Sequence, residues 1–165
     1  GEKFILRTST GDLSLDLKGL PEHRSVRISF DLYVIGNWLG NNAGGLPSLW
    51  SFGEVSAAPL IETSFSNDPS FQQAYPGRLL AGNYRAQTGA TGTDLLGYTD
   101  ADDGSSLPDA RYRLSFRFAH TGEDLDIVFL DENLPEGATW GLDNIILEVD
   151  NGETTVFLPM VIASK

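Results

Sequence analysis

The sequence predicts an all-β protein, a two-sheet antiparallel sandwich of the jelly-roll type. Apolar and polar residues alternate along much of the chain, which is the period of strands with one face in a core and one in water. Turn residues rich in Gly, Pro, Asn and Asp separate these stretches. No stretch combines helical periodicity with helix caps, and many short strands without helices are typical of sandwiches and jelly rolls.

The predicted strands follow one another from the N-terminus. The clearest alternation runs through residues 13–17, 26–34, 112–118, 125–129 and 145–149. The Gly- and Asn-rich residues 36–47 predict a long loop, and the weakly patterned region 67–109 favours short strands near 83–87 and 95–98. Long loops on a rigid sandwich are where function usually lies.

Length and charge exclude several classes of function. The 165 residues fit one domain, so residues 1–165 are interpreted as a single β-sandwich domain. The net charge of −12 argues against nucleic acids and anionic membrane surfaces, because binding to either requires a positive surface. No apolar run approaches the ~20 residues that span a bilayer, so membrane insertion is not expected. The absence of Cys excludes disulfides and thiolate chemistry.

The two ends of the sequence carry continuous apolar runs instead of alternation. A continuous run predicts a strand that is buried on both faces. Such a strand either closes its own sandwich or adds to a neighbouring copy, and both alternatives stay open. The second alternative indicates a homo-oligomer or a filament. The residues predicted to mediate assembly are Phe4, Ile5, Leu6, Val156, Phe157, Leu158, Met160, Val161 and Ile162.

Two acidic features are candidate Ca²⁺ ligands, and no other cofactor is indicated. Asp100, Asp102 and Asp103 fall in one glycine-containing turn, and Ca²⁺ takes about six to eight oxygen ligands. The alternative is a solvated acidic turn, because a complete calcium-loop motif is absent. Asp143 shares the parity of Ile145, so we expect it to point inward, where a carboxylate is hydrogen-bonded, paired or metal-bound.

Aromatic residues are candidates for a sugar-stacking platform. Tyr33, Trp38 and Tyr75 are the predicted ligand-binding residues, because aromatic rings stack on the apolar face of a pyranose. Tyr33 has the parity opposite to Phe30 and Leu32 and is expected to face outward. Trp38 lies in the Gly/Asn-rich loop. The alternative is that such rings plug the ends of the core.

The remaining candidates for binding or catalysis are arginines and histidines. Arg111, Arg113 and Arg117 share the polar face of one predicted strand, which is either a charge-laddered solvent face or a docking face for an acidic surface. His23 and His120 are the only two histidines, and neither lies in a nucleophile elbow, a metalloprotease helix or a phosphate loop. The sequence therefore predicts no catalytic residues and a non-enzymatic protein.

Six segments spread over most of the chain carry a resemblance to known proteins: 19–23 (GLPEH), 29–38 (SFDLYVIGNW), 63–67 (TSFSN), 73–76 (QAYP), 118–121 (FAHT) and 140–144 (WGLDN). Together they resemble secreted bacterial β-sandwich surface modules of uncertain function. The segment 140–144 with the apolar strand after it is similar to the closing strand of jelly-roll carbohydrate-binding modules. The resemblance implies an extracellular or cell-surface location.

Two functions follow from the terminal runs and the resemblance. The first is a non-enzymatic structural or adhesive subunit that assembles through terminal apolar strands or sheet edges into a surface filament or layer. The alternative is a carbohydrate-binding module whose partner is a polysaccharide.

Overall fold

The computed structural model describes residues 5–7, 12–41, 44–97, 107–152 and 155–159, and the side chains of 5–7 and 157–159 fall outside that description. Within these residues there is no helix, and hence none that is long and apolar enough to cross a membrane. The strands are β1 (Ile5–Arg7), β2 (Leu13–Leu17), β3 (Ser25–Ile35), β4 (Leu49–Glu54), β5 (Ile61–Ser64), β6 (Gln72–Gln73), β7 (Tyr84–Arg85), β8 (Gly92–Thr93), β9 (Ala110–Ala119), β10 (Leu125–Glu132), β11 (Thr139–Asp150) and β12 (Thr155–Pro159).

The strands form two antiparallel sheets. The larger sheet has the order β1-β11-β3-β9-β8, with β12 also paired to β11, and the smaller sheet has the order β2-β10-β4-β5. Numbering the eight principal strands from β1 to β5 and from β9 to β11 gives 1-8-3-6 in one sheet and 2-7-4-5 in the other, which is the jelly-roll order. The predicted fold class is therefore confirmed. The short strands β6 and β7 pair as a separate ribbon.

The core lies between the two sheets and is rich in aromatic rings. The ring of Phe30 lies 5.3 Å from those of both Phe52 and Phe129, measured between centroids. Trp50 and Trp140 cross at 87° with their centroids 6.2 Å apart. Such pairs add about 0.5–1.5 kcal/mol each to the stabilisation from burial alone. The inward residues of β3 alternate as predicted, and each is 0–1% exposed from Val26 to Val34.

Two strands differ from the sequence pattern for identifiable reasons. Strand β4 shows no alternation because four consecutive residues, 50–53, are buried, so both of its faces are covered. A strand predicted near 95–98 is absent from its described part, 95–97, and β8 (Gly92–Thr93) pairs with β9 instead. Tyr98 lies outside the described residues.

Strand β11 contains a bulge that reverses its parity. Its register with β3 shifts between Asp143 and Ile146, and Asn144 adopts a φ of 52°, a conformation that Asn tolerates better than most residues. Before the bulge Leu142 faces the core, and after it Ile145 does. The expectation that Asp143 points inward is wrong: Asp143 lies opposite Asp31 in the register, on the outer side of the sheet.

Candidate functional site

One flank of β11 is shared by the two ends of the described chain. Strand β3 pairs along one side of β11, and on the other side β12 pairs with 146–150 and β1 with 140–142. Both β1 and β12 are antiparallel to β11, so they run in the same direction along one line. Pro159 is opposite Ile146 and Ile5 is opposite Leu142. We call the outer side of β1 and β12 the terminal edge.

The hairpin between β11 and β12 keeps β12 on its own chain. The amide N–H of Gly152 donates to Asp150 Oδ1 at 2.7 Å, and Gly152 has a φ of 92°, which favours glycine. The backbone hydrogen bond from Gly152, together with the Arg117 charge, holds the pKa of Asp150 below its ordinary value. The first half of the apolar tail therefore closes its own sheet, which is one of the two alternatives left open by the sequence.

The structure places the predicted assembly residues as follows. Ile5 and Leu6 lie in β1, and Val156 lies in β12 with 40% of its surface exposed. This exposure is contrary to the expectation of burial on both faces, and it arises because β12 is an edge strand. Phe157 and Leu158 are opposite Glu148 and Leu147 in the register, with side chains outside the description. Phe4, Met160, Val161 and Ile162 lie outside the described residues.

The β12 part of the terminal edge differs from the other long sheet edges in its lack of charge, whereas β1 includes Arg7. Exposed sheet edges are usually guarded by charged side chains, because unpaired backbone groups otherwise recruit strands of other molecules. At the edge of the smaller sheet β2 carries the exposed Asp16, and β5 at the opposite edge carries the exposed Glu62. Strand β8 has only two residues. No charged residue occurs in β12, and Ile146 beside it is 43% exposed.

Oppositely charged side chains pair with each other across the outer face of the larger sheet. Arg27 and Arg117 are opposite each other in the register, and each pairs with a carboxylate of β11: Arg27 Nη1 lies 3.3 Å from Glu148 Oε2, and Arg117 bonds to Asp150. The predicted basic stripe is thus neutralised along this part of the face. A shallow groove of about 210 Å³ between these four residues is lined by charged pairs rather than by free cations.

A buried carboxylate joins three strands at the other end of this face. Asp31 is 1% exposed and accepts hydrogen bonds from Arg113 Nε at 2.9 Å and Nη2 at 3.2 Å. Asn144 Nδ2 on the bulge donates to Asp31 Oδ2 at 2.8 Å. Burial alone raises the pKa of Asp31, but the bonds from Arg113 and Asn144 outweigh it and hold the pKa below its ordinary value. These hydrogen bonds hold the bulge of β11 against β3 and β9.

The predicted sugar platform is not formed. Tyr33 and Trp38 are 1% and 0% exposed, and Trp38 Nε1 donates to the carbonyl of Thr139 at 2.7 Å. Tyr75 packs beside Phe65 with 5.0 Å between centroids, and burial raises its pKa. The expectation that Tyr33 faces solvent is therefore wrong: parity gives its side of the sheet correctly, but that side is covered at this point.

Of the predicted metal ligands, only Asp143 lies within the described residues. Asp143 lies on the outer face, where its Oδ1 accepts the N–H of Asn144 at 2.7 Å. Asp100, Asp102 and Asp103 lie outside the described residues. Within the part of the chain that is described, no group of three or more His, Cys, Asp or Glu is arranged to hold a metal ion.

Comparison with known proteins adds no family: no protein-family model, no curated protein and no solved structure matches this chain.

Proposed function

We propose that this chain is a non-enzymatic structural subunit that assembles with copies of itself by strand pairing at the terminal edge. The observation that carries the proposal is the division of one β11 flank between β1 and an uncharged β12. Added strands bind through main-chain hydrogen bonds, which any unguarded edge offers. Both edges of the smaller sheet carry an exposed carboxylate, from Asp16 and Glu62, and the edge of the larger sheet along β9 carries exposed arginines. A cell-surface location is part of the proposal and is supported by the resemblance to secreted β-sandwich modules.

The flank of β11 that β1 and β12 share offers two modes of assembly. In the first, the free side of β12 pairs with β12 of a second copy, which is a two-fold contact and closes as a dimer. In the second, a terminal apolar segment of one copy takes the place of β1 beside 140–142 of the next. Donor and acceptor surfaces then differ, so the contact repeats head to tail and produces a filament. Strand β1 has only three paired residues, so few hydrogen bonds oppose its replacement.

A charge placed on the terminal edge tests the proposal. We expect Val156→Lys to reduce the oligomer to monomer in light scattering and to remove filaments in electron microscopy, because a lysine guards the edge. Val156 is 40% exposed, so a lysine at this position can extend into solvent. The matched control is Ser14→Lys on the edge strand β2, which should leave assembly unchanged. Wild-type protein that stays monomeric at every concentration, or an equal effect of both variants, contradicts the proposal.

A peptide with the sequence TVFLPMVIA separates the two modes. In the head-to-tail mode the peptide occupies the flank of β11 and caps growth, so filaments shorten as peptide is added. In the two-fold mode it competes only with dimer formation. A peptide of the same composition in scrambled order is the control.

Carbohydrate binding is the second candidate, and one surface favours it. A cleft of about 430 Å³ is lined by the amides of Asn41 and Asn83 and by the apolar residues 79–81. The ring of Tyr84, which is 38% exposed, packs beside Gly82, and Gly82 lines the cleft. We expect Tyr84→Ala to abolish retention on an insoluble polysaccharide if this surface binds glycans. Absence of wild-type retention across a panel of polysaccharides removes this candidate.

A further inference from the structure

Two histidines and a glutamate contact one another at one end of the core. This end is remote from the place where β1 pairs with β11. His23 precedes β3, His120 follows β9, and Glu54 ends β4. The two imidazole rings stack at 17° with centroids 5.1 Å apart, and His23 Nε2 lies 2.9 Å from His120 Nδ1. His120 Nε2 lies 4.0 Å from Glu54 Oε1. Residues distant in sequence are thus joined in one polar chain that the terminal edge does not use.

The hydrogen bonds fix which nitrogens carry protons in the uncharged chain. His23 Nδ1 lies 2.6 Å from the carbonyl oxygen of Pro21, which only accepts, so this nitrogen carries a hydrogen. His23 Nε2 is therefore the acceptor, and His120 Nδ1 donates to it. It follows that His120 Nε2 presents its lone pair toward the Glu54 carboxylate. In this uncharged state no hydrogen lies between the imidazole nitrogen and the carboxylate.

This arrangement is the one that metal-binding histidines adopt. A ligating imidazole donates its second N–H to an acceptor, which fixes the ring and its tautomer. Here the acceptor is His23, which is itself anchored on Pro21. A separation of 4.0 Å is too long for a hydrogen bond. Two bonds of about 2.0–2.2 Å to one tetrahedral ion place nitrogen and oxygen roughly 3.3 Å apart, a distance that rotation of the Glu54 side chain reaches.

The site is open to ions from one side. The Glu54 side chain is 39% exposed and that of His120 is 8% exposed, so the carboxylate meets solvent and the imidazole lies at its rim. Gly122 lies beside the ring: a Cβ at this position would lie 3.4 Å from His120 Nε2, so a larger residue there would crowd this nitrogen.

We propose that His120 Nε2 and a Glu54 carboxylate oxygen bind one divalent transition-metal ion, with Zn²⁺ and Cu²⁺ as the matching ions and His23 as the residue that orients His120. Imidazole and carboxylate together select these ions, whereas Ca²⁺ and Mg²⁺ prefer sites made of oxygen alone. The site is independent of assembly at the terminal edge.

The test uses the full chain and two metals. Titration calorimetry with Zn²⁺ should give one site per chain, and excess Ca²⁺ should not displace the zinc. Bound Cu²⁺ should show nitrogen hyperfine splitting from one imidazole in its electron paramagnetic resonance spectrum. We expect His120→Gln to remove that splitting, Glu54→Gln to weaken Zn²⁺ binding at least tenfold, and His23→Asn to weaken it about 10–100-fold as an orienting residue.

The control is Asp16→Asn, which removes an exposed carboxylate elsewhere and should leave Zn²⁺ affinity unchanged. Because His120 is largely buried, its variant also requires an unchanged circular dichroism spectrum, and the exposed Glu54 supplies a variant that does not disturb packing. Absence of Zn²⁺ binding overturns the proposal. Binding that is equally strong in the Glu54 and His120 variants also overturns it, since the ion then lies at another site.

Discussion

Replacing Asp31 with Asn removes the buried carboxylate that joins β3, β9 and β11. The carboxylate accepts two hydrogen bonds from Arg113 and one from Asn144 at the bulge. The asparagine keeps the size of the side chain but removes the charge and turns one acceptor oxygen into a donor. The two groups nearest to it are donors themselves, so at least one of the three bonds is lost.

The expected cost follows from the exposure of the two partners. A hydrogen bond to a charged group contributes about 1.5–3 kcal/mol. Asp31 is 1% exposed, but the Arg113 side chain is 67% exposed and regains water when the carboxylate is removed. We therefore expect a loss of about 2–3 kcal/mol in the free energy of unfolding, below the ~3–5 kcal/mol of breaking a fully buried pair. Glu148→Gln is the control, because its pair with the half-exposed Arg27 is worth at most about 1 kcal/mol.

The pH dependence of this loss has a definite sign. The pKa of Asp31 is lower in the folded state than its ordinary value of 3.8, so the unfolded chain binds the proton first as the pH falls. The stabilisation from Asp31 is complete above that ordinary value and disappears as the pH falls through the folded-state pKa. Urea unfolding followed by tryptophan fluorescence should show a large gap between wild type and Asp31→Asn at neutral pH, and the two curves should converge in acid. A gap that stays constant into strong acid, or one below about 0.5 kcal/mol at neutral pH, refutes the reasoning.

Two further comparisons test the core and the loops. Trp50→Phe should cost less than Trp140→Phe, by about 1–3 kcal/mol. The buried Trp50 Nε1 has no hydrogen-bond partner among the described residues, while Trp140 Nε1 donates to Asp131 Oδ2 at 2.7 Å. Thermal unfolding of both variants measures the difference. Gly36→Ala should prevent folding or lower the melting temperature severely, because its φ is +75° and the new Cβ would lie 2.0 Å from a backbone carbonyl oxygen. Gly97→Ala has a similar φ of +60°, and no described residue lies within 4 Å of the new Cβ, so it should cost only about 1–2 kcal/mol; equal effects of the two would contradict the steric argument.

The alternation of apolar and polar residues was sufficient to predict the fold class. It predicted the wrong side-chain orientation where the backbone departs from a regular strand. Asp143 was assigned by extending the parity of Ile145 through a bulge that no alternation marks. The Asp-Asn pair was the available signal, since Asn144 is a residue type that accepts a positive φ. Strand β4 was missed for a related reason, because burial on both faces removes the alternation itself.

Parity predicts the side of a sheet but not whether that side meets water. Tyr33 lies on the outer side as expected, yet it is as buried as the core residue Phe30. Farther along the same side of β3, Arg27 is exposed. Coverage of one part of a sheet depends on segments distant in sequence, which a local pattern does not report. The contact between His23 and His120 is hidden from sequence for the same reason, since 97 positions separate the two rings.

The response to salt separates pairing at the terminal edge from docking through the arginine face. A charge of −12 makes copies repel each other, and the repulsion between exposed charges is screened within about 10 Å at 0.1 M salt and about 3 Å at 1 M. Pairing at the uncharged β12 adds no attraction between charges, so added salt should strengthen it by removing the repulsion. Docking of the arginine face on an acidic surface depends on attraction between charges and should weaken. Light scattering across this range decides between them: an oligomer that dissociates as salt rises excludes the terminal edge as the main contact and assigns assembly to the charged outer face.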